Sequence, residues 1–401
     1  MHASQRSEEV REPRLDGLRG LAIVLVMLYH TTHYGLARTP FEQALGVVPS
    51  IGWSGVDLFF VLSGFLITRI LLRAKESPHY FGSFYARRVL RIFPLYYAVL
   101  VFFLVLVPRI PLFDAADGFW HAGAAREGVW YWLYLTNLQI ARLGVWQHQT
   151  LDITWSLAIE EHFYLIWPLV VRRVSERRLL VVCAALFVGA FALRVWLVAS
   201  DASPLIAYTA TPARFDTLAA GALLALLARR EGGLARYARL SRALLCGAAL
   251  LFAALYAWIR LTGAPPAVAP GVRDWEAATV HLLSFLRDPW MQTAGYSLLC
   301  VGYAALLVVV VTAPAGAWIG RAFEWRALRR IGEVSYAMYL FHVFIALLTL
   351  SFFTPGFYPD HYVLAQLAYW AIVFGVTYGL ARASWALFEA PILRLKARFS
   401  Y

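Results

Sequence analysis

The sequence predicts an all-α, polytopic integral membrane protein of about ten transmembrane helices with both termini in the cytoplasm. Three observations carry that prediction. Hydrophobic residues make up 61% of the 401, charged residues only 15%, and the mean hydropathy is +0.61. A soluble domain is about one-quarter charged, so this chain lacks the polar surface that water requires. Apolar stretches of transmembrane length recur along it. Basic residues cluster between those stretches in a way that assigns sides.

In chain order the spans are expected at 17–36, 52–72, 90–108, 153–171, 179–199, 205–228, 243–260, 294–313, 331–352 and 362–388. With the N-terminus inside, 26 of the 36 Lys and Arg fall on the cytoplasmic side. They cluster before residue 20 and at 69–91, 172–178, 229–242, 321–330 and 394–398, as the positive-inside rule requires. Loops 109–128 and 353–361 then face outward. The net charge of +12 is topological and needs no nucleic acid to explain it. The first apolar segment is not a removable signal peptide, because further spans follow and no small-residue cleavage site is evident. The stretch 128–146, GVWYWLYLTNLQIARLGVW, is aromatic but interrupted by polar groups. An eleventh span here would invert every later loop, so it reads as an interfacial or re-entrant segment. The longest outer stretch, 261–293, is Pro- and Ala-rich and then polar. No internal repeat and no appended soluble domain is expected, which makes 1–401 a single transmembrane domain. Cys183, Cys246 and Cys300 lie in apolar segments without metal-type spacing, which argues against disulfides and zinc.

Polar residues inside spans are costly, and each is a functional-site hypothesis. RGLAIVLVMLYH, residues 19–30, places a histidine where nine of the eleven residues from Gly20 to His30 are apolar. At 100° per residue, Arg19 and His30 are about 20° from a shared helix face and roughly 16 Å apart. Taken alone, the pair reads equally as an orienting arginine and a histidine bonded between helices. It has company. Asp57 lies near the outer end of the second span, and Glu160 and Glu161 lie in the fourth with His162 and Tyr164 beside them. Arg214 and Asp216 lie in the sixth span and His342 in the ninth. Five helices therefore bring polar groups to the outer half or the middle of the membrane, which points to a polar cavity.

The opposite side has a different chemistry. FYARRVLRIFPLYY, residues 84–97, sets Arg87, Arg88 and Arg91 just before an apolar span. Their i,i+3 and i,i+4 spacing lets them converge on one ligand, and guanidinium forks match phosphate oxygens. An isolated RRxxR would be topogenic charge that also binds lipid phosphates. Gly55, Ser63 and Gly64 in the second span permit close helix approach or leave room for an acyl chain.

Six strings in order resemble the acyltransferase-3 family of integral membrane acyltransferases: RLDGLRGLAIVLVMLYH, GVDLFFVLSGFLI, FYARRVLRIFPLYY, TWSLAIEEHFYLIWPL, ARFDTLAAGALLA and IGEVSYAMYLFH. The resemblance covers nearly the whole chain. It implies transfer of an acetyl or other short acyl group from cytoplasmic acyl-CoA, with acetyl-CoA as the expected donor. The acceptor would be a hydroxyl of a cell-envelope glycan, glycolipid or secondary metabolite, and the location a bacterial inner membrane. The family's arginine–histidine signature falls on Arg19 and His30, and its basic motif on Arg87, Arg88 and Arg91. Its WSLxxExxFY motif falls on Trp155, Ser156, Glu160 and Tyr164. Some members carry a C-terminal esterase-like domain, which is not expected here.

Within that resemblance, His30 is expected to be the general base that takes the acceptor's hydroxyl proton, since an alcohol is a poor nucleophile at neutral pH. Glu160 or Asp57, at comparable depth, is expected to orient it. Arg19, Arg87, Arg88, Arg91, Ser156, Tyr164, Arg214 and His342 are expected to bind substrate or donor. Direct transfer is preferred to an acyl-enzyme on Ser63 or Ser156, because neither serine sits in a nucleophile elbow. No metal is expected; the partners are the acyl-CoA, a carbohydrate or glycosylated acceptor and membrane lipids. A proton-coupled transporter or flippase of a lipid-linked or glycosylated substrate would use the same buried groups as a relay.

Overall fold

Proline in the first helical turn opens α1, Pro13–His30, where its missing N–H costs nothing and its fixed φ suits the helix. The computed structural model describes residues 12–33, 37, 39–110, 128–262, 285, 287–350 and 361–401. Only the longer helices are numbered. They continue as α2 Gly55–Arg73, α3 Tyr80–Leu100, α4 Thr136–Leu143, α5 Thr154–Arg173, α6 Glu176–Ala199 and α7 Thr211–Leu227. After these come α8 Ala238–Thr262, α9 Tyr296–Val311, α10 Trp318–Glu324, α11 Arg326–Glu333, α12 Ser335–Leu350 and α13 Tyr362–Ser384. The described residues contain no strand.

Six helical stretches are long and apolar enough to cross a membrane, and α11 with α12, bent by 81°, makes a seventh if taken as one span. The protein is therefore a multi-pass membrane protein. Helices α1, α5 and α7 fall short of the same measure among the described residues. α1 carries Arg14, Asp16 and Arg19, and α5 carries Glu160, Glu161, Arg172 and Arg173, while α7 has only 17 residues.

Four boundaries differ most from expectation, the first being the span expected at 17–36, whose helix already stops at His30. The expected span 90–108 is the second half of a helix that starts at Tyr80 and runs through a π turn to Arg109. Arginine is a good helix former, so the arginine cluster lies inside that helix rather than in a loop before it. The expected span 205–228 is broken. A short helix, Pro204–Thr209, ends at the extended Ala210, and α7 restarts with Pro212 in its first turn, where no N–H is needed. The expected span 331–352 begins in α11 and turns sharply at Val334 before α12. The segment 128–146 holds two short helices, Val129–Trp132 and α4, neither long enough to cross. Most of the expected outward loops and of the 261–293 stretch, with Arg6 and Arg11, lie outside the described residues.

Polar contacts gather the helix ends onto two faces. On one, Lys75 Nζ donates to the Val174 carbonyl at 2.7 Å, Arg172 lies over Tyr80, and Arg229 pairs with Glu176. On the other, Ser54 bonds Tyr303 at 2.7 Å, the His33 N–H donates to Gln366 at 3.0 Å, and Asn137 Nδ2 donates to the Thr209 carbonyl at 3.1 Å. Glycine sets the tight crossings. Gly64 of α2 faces the Leu218 carbonyl and Gly221 of α7 faces the Val61 carbonyl, so a Cβ at either would overlap backbone. The same holds for Gly17 and Gly20 of α1 against Phe323 and Leu328, and for Gly332 against Asp16. With Gly55 of α2 against the Ala22 carbonyl of α1, these contacts wedge α1 between α2 and the α10–α11 segment.

Candidate active site

His30 ends α1 and is an exposed residue, whereas His342 of α12 is fully buried beside it. His342 Nε2 lies 3.2 Å from His30 Nδ1, with ring centroids 4.9 Å apart. The neighbouring contacts assign the tautomers. His342 Nδ1 is 2.7 Å from the Tyr339 carbonyl, which can only accept, so this nitrogen carries the hydrogen. The Nε2 of a neutral His342 is then an acceptor. His30 Nδ1, 2.9 Å from the Val26 carbonyl, faces two acceptors and must carry its own hydrogen. That leaves His30 Nε2 with a lone pair that no described residue occupies.

No carboxylate bonds His30 among the described residues. The partner expected from depth alone, Glu160 or Asp57, is engaged elsewhere, because equal depth on different helices says nothing about which way a side chain faces. Glu160 accepts from Ser63 Oγ at 2.6 Å and from the Tyr164 hydroxyl at 3.1 Å. Tyr164 also reaches Ser63 Oγ at 3.2 Å. Tyr339 stands between the two groups. Its hydroxyl bonds Ser156 Oγ at 2.7 Å and the Ile153 carbonyl at 2.8 Å, its ring lies 5.6 Å from His342, and it is within electrostatic reach of Glu160.

The arginine cluster divides. Arg88 lies over the Tyr164 ring at 5.6 Å and, with Arg19, acts electrostatically on Glu160. Arg91 also senses Arg19 and Arg88, so the chain start and the RRxxR segment do come together. Arg91 itself is held by Glu389 at 3.6 Å and lies over Trp385 at 5.1 Å. Arg87 turns to the chain end, donating to the Phe399 carbonyl at 3.3 Å beside the Tyr401 ring. The three arginines thus face different neighbours rather than one common point. Arg19 is aimed by the buried Asp16 at 3.1 Å and stays 39% exposed, free enough to meet a ligand.

Asp57 and Arg214 form a separate buried unit. They are ion-paired with each other, and Arg194 of α6 pairs with Asp216 of α7 at 2.7 Å. Arg214 lies 4.5 Å from the Tyr296 ring and 5.5 Å from that of Tyr208. Two cations and two anions, all essentially without solvent contact, balance each other and pin α2, α6 and α7 together. Their arrangement accounts for Asp57 and Arg214 without a substrate.

Sequence reasoning passed over four of these groups. Arg194 sits in the apolar run of the expected span 179–199, and the rule that flagged Asp57 applies equally to it. Asp16 is visible beside Arg19 at i,i+3. Tyr339 and Glu389 had no local signal, since their partners are distant in sequence. Among the described residues no group of three or more His, Cys, Asp or Glu could hold a metal ion.

A family model described as an acyltransferase domain matches residues 12–384. Peptidoglycan O-acetyltransferase OatA of Listeria monocytogenes is 28% identical over 406 residues, covering 95% of this chain and 55% of that protein. YrhL of Bacillus subtilis is 30% identical over 400 residues, covering 95% and 54%. O-acetyltransferase OatA of Staphylococcus aureus is 24% identical over 408 residues, covering 97% and 59%. The chain therefore spans between 54% and 59% of the length of these relatives. No solved structure matches it. With six ordered motifs on one helical frame and a family match from Glu12 to Ser384, the chain belongs to the acyltransferase-3 family.

Proposed function

We propose that this chain is a bacterial inner-membrane O-acyltransferase of ten spans with both termini cytoplasmic, acting as one transmembrane domain. It moves an acetyl or other short acyl group from cytoplasmic acyl-CoA to a hydroxyl of a cell-envelope glycan. The names of the relatives, O-acetyltransferases of peptidoglycan among them, support that class of acceptor. Seven candidate spans together with α1, α5 and α7 support the count of ten.

One observation carries the chemistry: an exposed His30 whose Nε2 lone pair is free and whose Nδ1 is backed by buried His342. In the proposed step the acceptor oxygen attacks the thioester carbonyl carbon while His30 Nε2 takes the hydroxyl proton. The C–O bond forms, the C–S bond breaks, and the imidazolium returns its proton to the CoA sulfur. His342 Nε2 accepts from His30 Nδ1–H throughout, which orients the ring and favours the cation that forms, the role a carboxylate plays in a triad. Arg19 and Arg88 are the donor's phosphate contacts, because they combine partial exposure with forked charge. Glu160, held by Ser63 and Tyr164, balances those cations, and Ser156 with Tyr339 braces the helix that carries His342.

The test is release of free CoA by the purified protein given acetyl-CoA and a soluble peptidoglycan fragment. Acceptor-dependent release that is lost in His30→Gln is the expected result. Movement of a glycan across the membrane without any CoA release would instead establish the transporter reading.

A further inference from the structure

A cavity of about 490 Å³ opens on the basic face of the protein, and none of the residues given an acyl-transfer role above lines it. Arg69 and Arg73 of α2 and Arg229 just after α7 bring three guanidinium groups to its wall, against one carboxylate, Glu12. The lining side chains therefore carry a net charge of +2, three positive and one negative.

Their pairing leaves charge to spare. Arg69 is held by Glu12 and lies over the Phe65 ring at 5.9 Å, which presets its direction. Arg229 pairs with Glu176 at 3.1 Å, but both side chains are 45% exposed, so water screens the pair and a ligand can displace it. Arg73 is exposed and has no ion-pair partner among the described residues. The last carbonyls of α9 already have a cation in Arg14, whose Nη1 donates to Val310, Val311 and Ala313 at 3.2, 3.2 and 2.7 Å. The remaining wall includes Gly232 and Gly233, at φ +76° and +51°, a conformation in which a side chain would be strained. The backbone there is bare and open to close approach.

We propose that this cleft binds a phosphate-bearing anion, drawn either from a lipid headgroup or from a soluble phosphate compound. Forked guanidinium groups from separate elements match phosphate oxygens in geometry and charge, and the volume is that of an ordinary small-ligand pocket. The site is independent of the acyl-transfer reading.

The experiment uses the full chain in nanodiscs. One arm titrates inorganic pyrophosphate into phosphatidylcholine discs by calorimetry. The other measures phosphatidylglycerol retained from mixed discs by native mass spectrometry. At least one probe should bind the wild type and weaken about tenfold or more in the Arg73→Gln, Arg229→Gln double variant, which loses two charge-assisted contacts. Variant-sensitive pyrophosphate binding assigns a soluble source, and variant-sensitive lipid retention assigns a headgroup. Arg88→Ala, which removes a proposed donor contact, should keep the binding that the double variant loses, which separates this cleft from the donor's phosphate contacts. If the glutamine variant does not fold, Arg73→Lys, Arg229→Lys replaces it; several-fold weaker binding supports the site because lysine lacks the fork. Wild-type behaviour of the variant used towards both probes overturns the proposal.

Discussion

His342 Nε2 meets His30 Nδ1 at 3.2 Å across the contact between α12 and α1, so a buried histidine backs an exposed one. The pair spends one nitrogen of each ring on mutual orientation and leaves a single basic nitrogen, His30 Nε2, without a partner among the described residues.

If that nitrogen is the base, His30→Gln should fold, insert and bind acyl-CoA, yet transfer should fall by about 10²–10⁴-fold. Removing His342 as well should then cost little more, since groups that act as a unit are not additive. Turnover and thermal midpoints of the two single variants and the double variant check both statements. A well-folded His30→Gln protein with near-normal turnover ends the assignment.

Arg88 and Arg91 should separate in their effects. Arg88→Ala removes a charge with aromatic neighbours and, among the described residues, no carboxylate in hydrogen-bond contact, so acyl-CoA binding should weaken by about 1.5–3 kcal/mol and become less salt-sensitive. Arg91→Ala strips the partner from buried Glu389 and should cost stability instead, about 1–3 kcal/mol. Binding isotherms at two salt concentrations, set beside denaturation midpoints, distinguish the two; identical profiles for both variants would contradict this division.

The buried pair of Arg194 and Asp216 should show the asymmetry of ionic groups in an apolar interior. Asp216→Ala alone leaves Arg194 uncompensated and should destabilise by about 3–5 kcal/mol. Adding Arg194→Met should recover most of that loss, because an apolar pair needs no compensation. A double variant no more stable than Asp216→Ala would mean that Arg194 serves something other than its partner.

Asp152, in the loop before α5, gives a pH-dependent prediction. Burial pushes its carboxyl up to about 6 from an ordinary value of 3.8, against the opposing pull of the His148 N–H at 2.8 Å and the Tyr131 hydroxyl at 3.1 Å. Between those two values the folded state holds the proton more tightly than the unfolded state does. Its contribution to stability is therefore greatest at low pH, declines as pH rises through that window and levels off above about 6. Melting curves across the window should show this slope flattened in Asp152→Asn; an unchanged slope would place the titration elsewhere.

Helical class, membrane character and the identity of the polar residues were determined by the sequence itself, because hydropathy and charge are local properties of the chain. Six ordered motifs sufficed for the family. The same information located Arg19 and His30 near one face of one helix, which needs only the 3.6-residue period. What those residues touch was decided by tertiary packing. Asp57 and Glu160 looked interchangeable as partners of His30 by depth, yet one faces Arg214 and the other Ser63. The azimuth of each helix settles this, and glycine contacts such as Gly64 on Leu218 and Gly20 on Leu328 set that azimuth through backbones far apart in sequence. The partition of the arginine cluster has the same origin, since Glu389, Trp385 and Phe399 reach α3 only when the last helix folds back onto it. Local chemistry is written along the chain, whereas pairing depends on rotation and distance between helices, and only the packed structure supplies those.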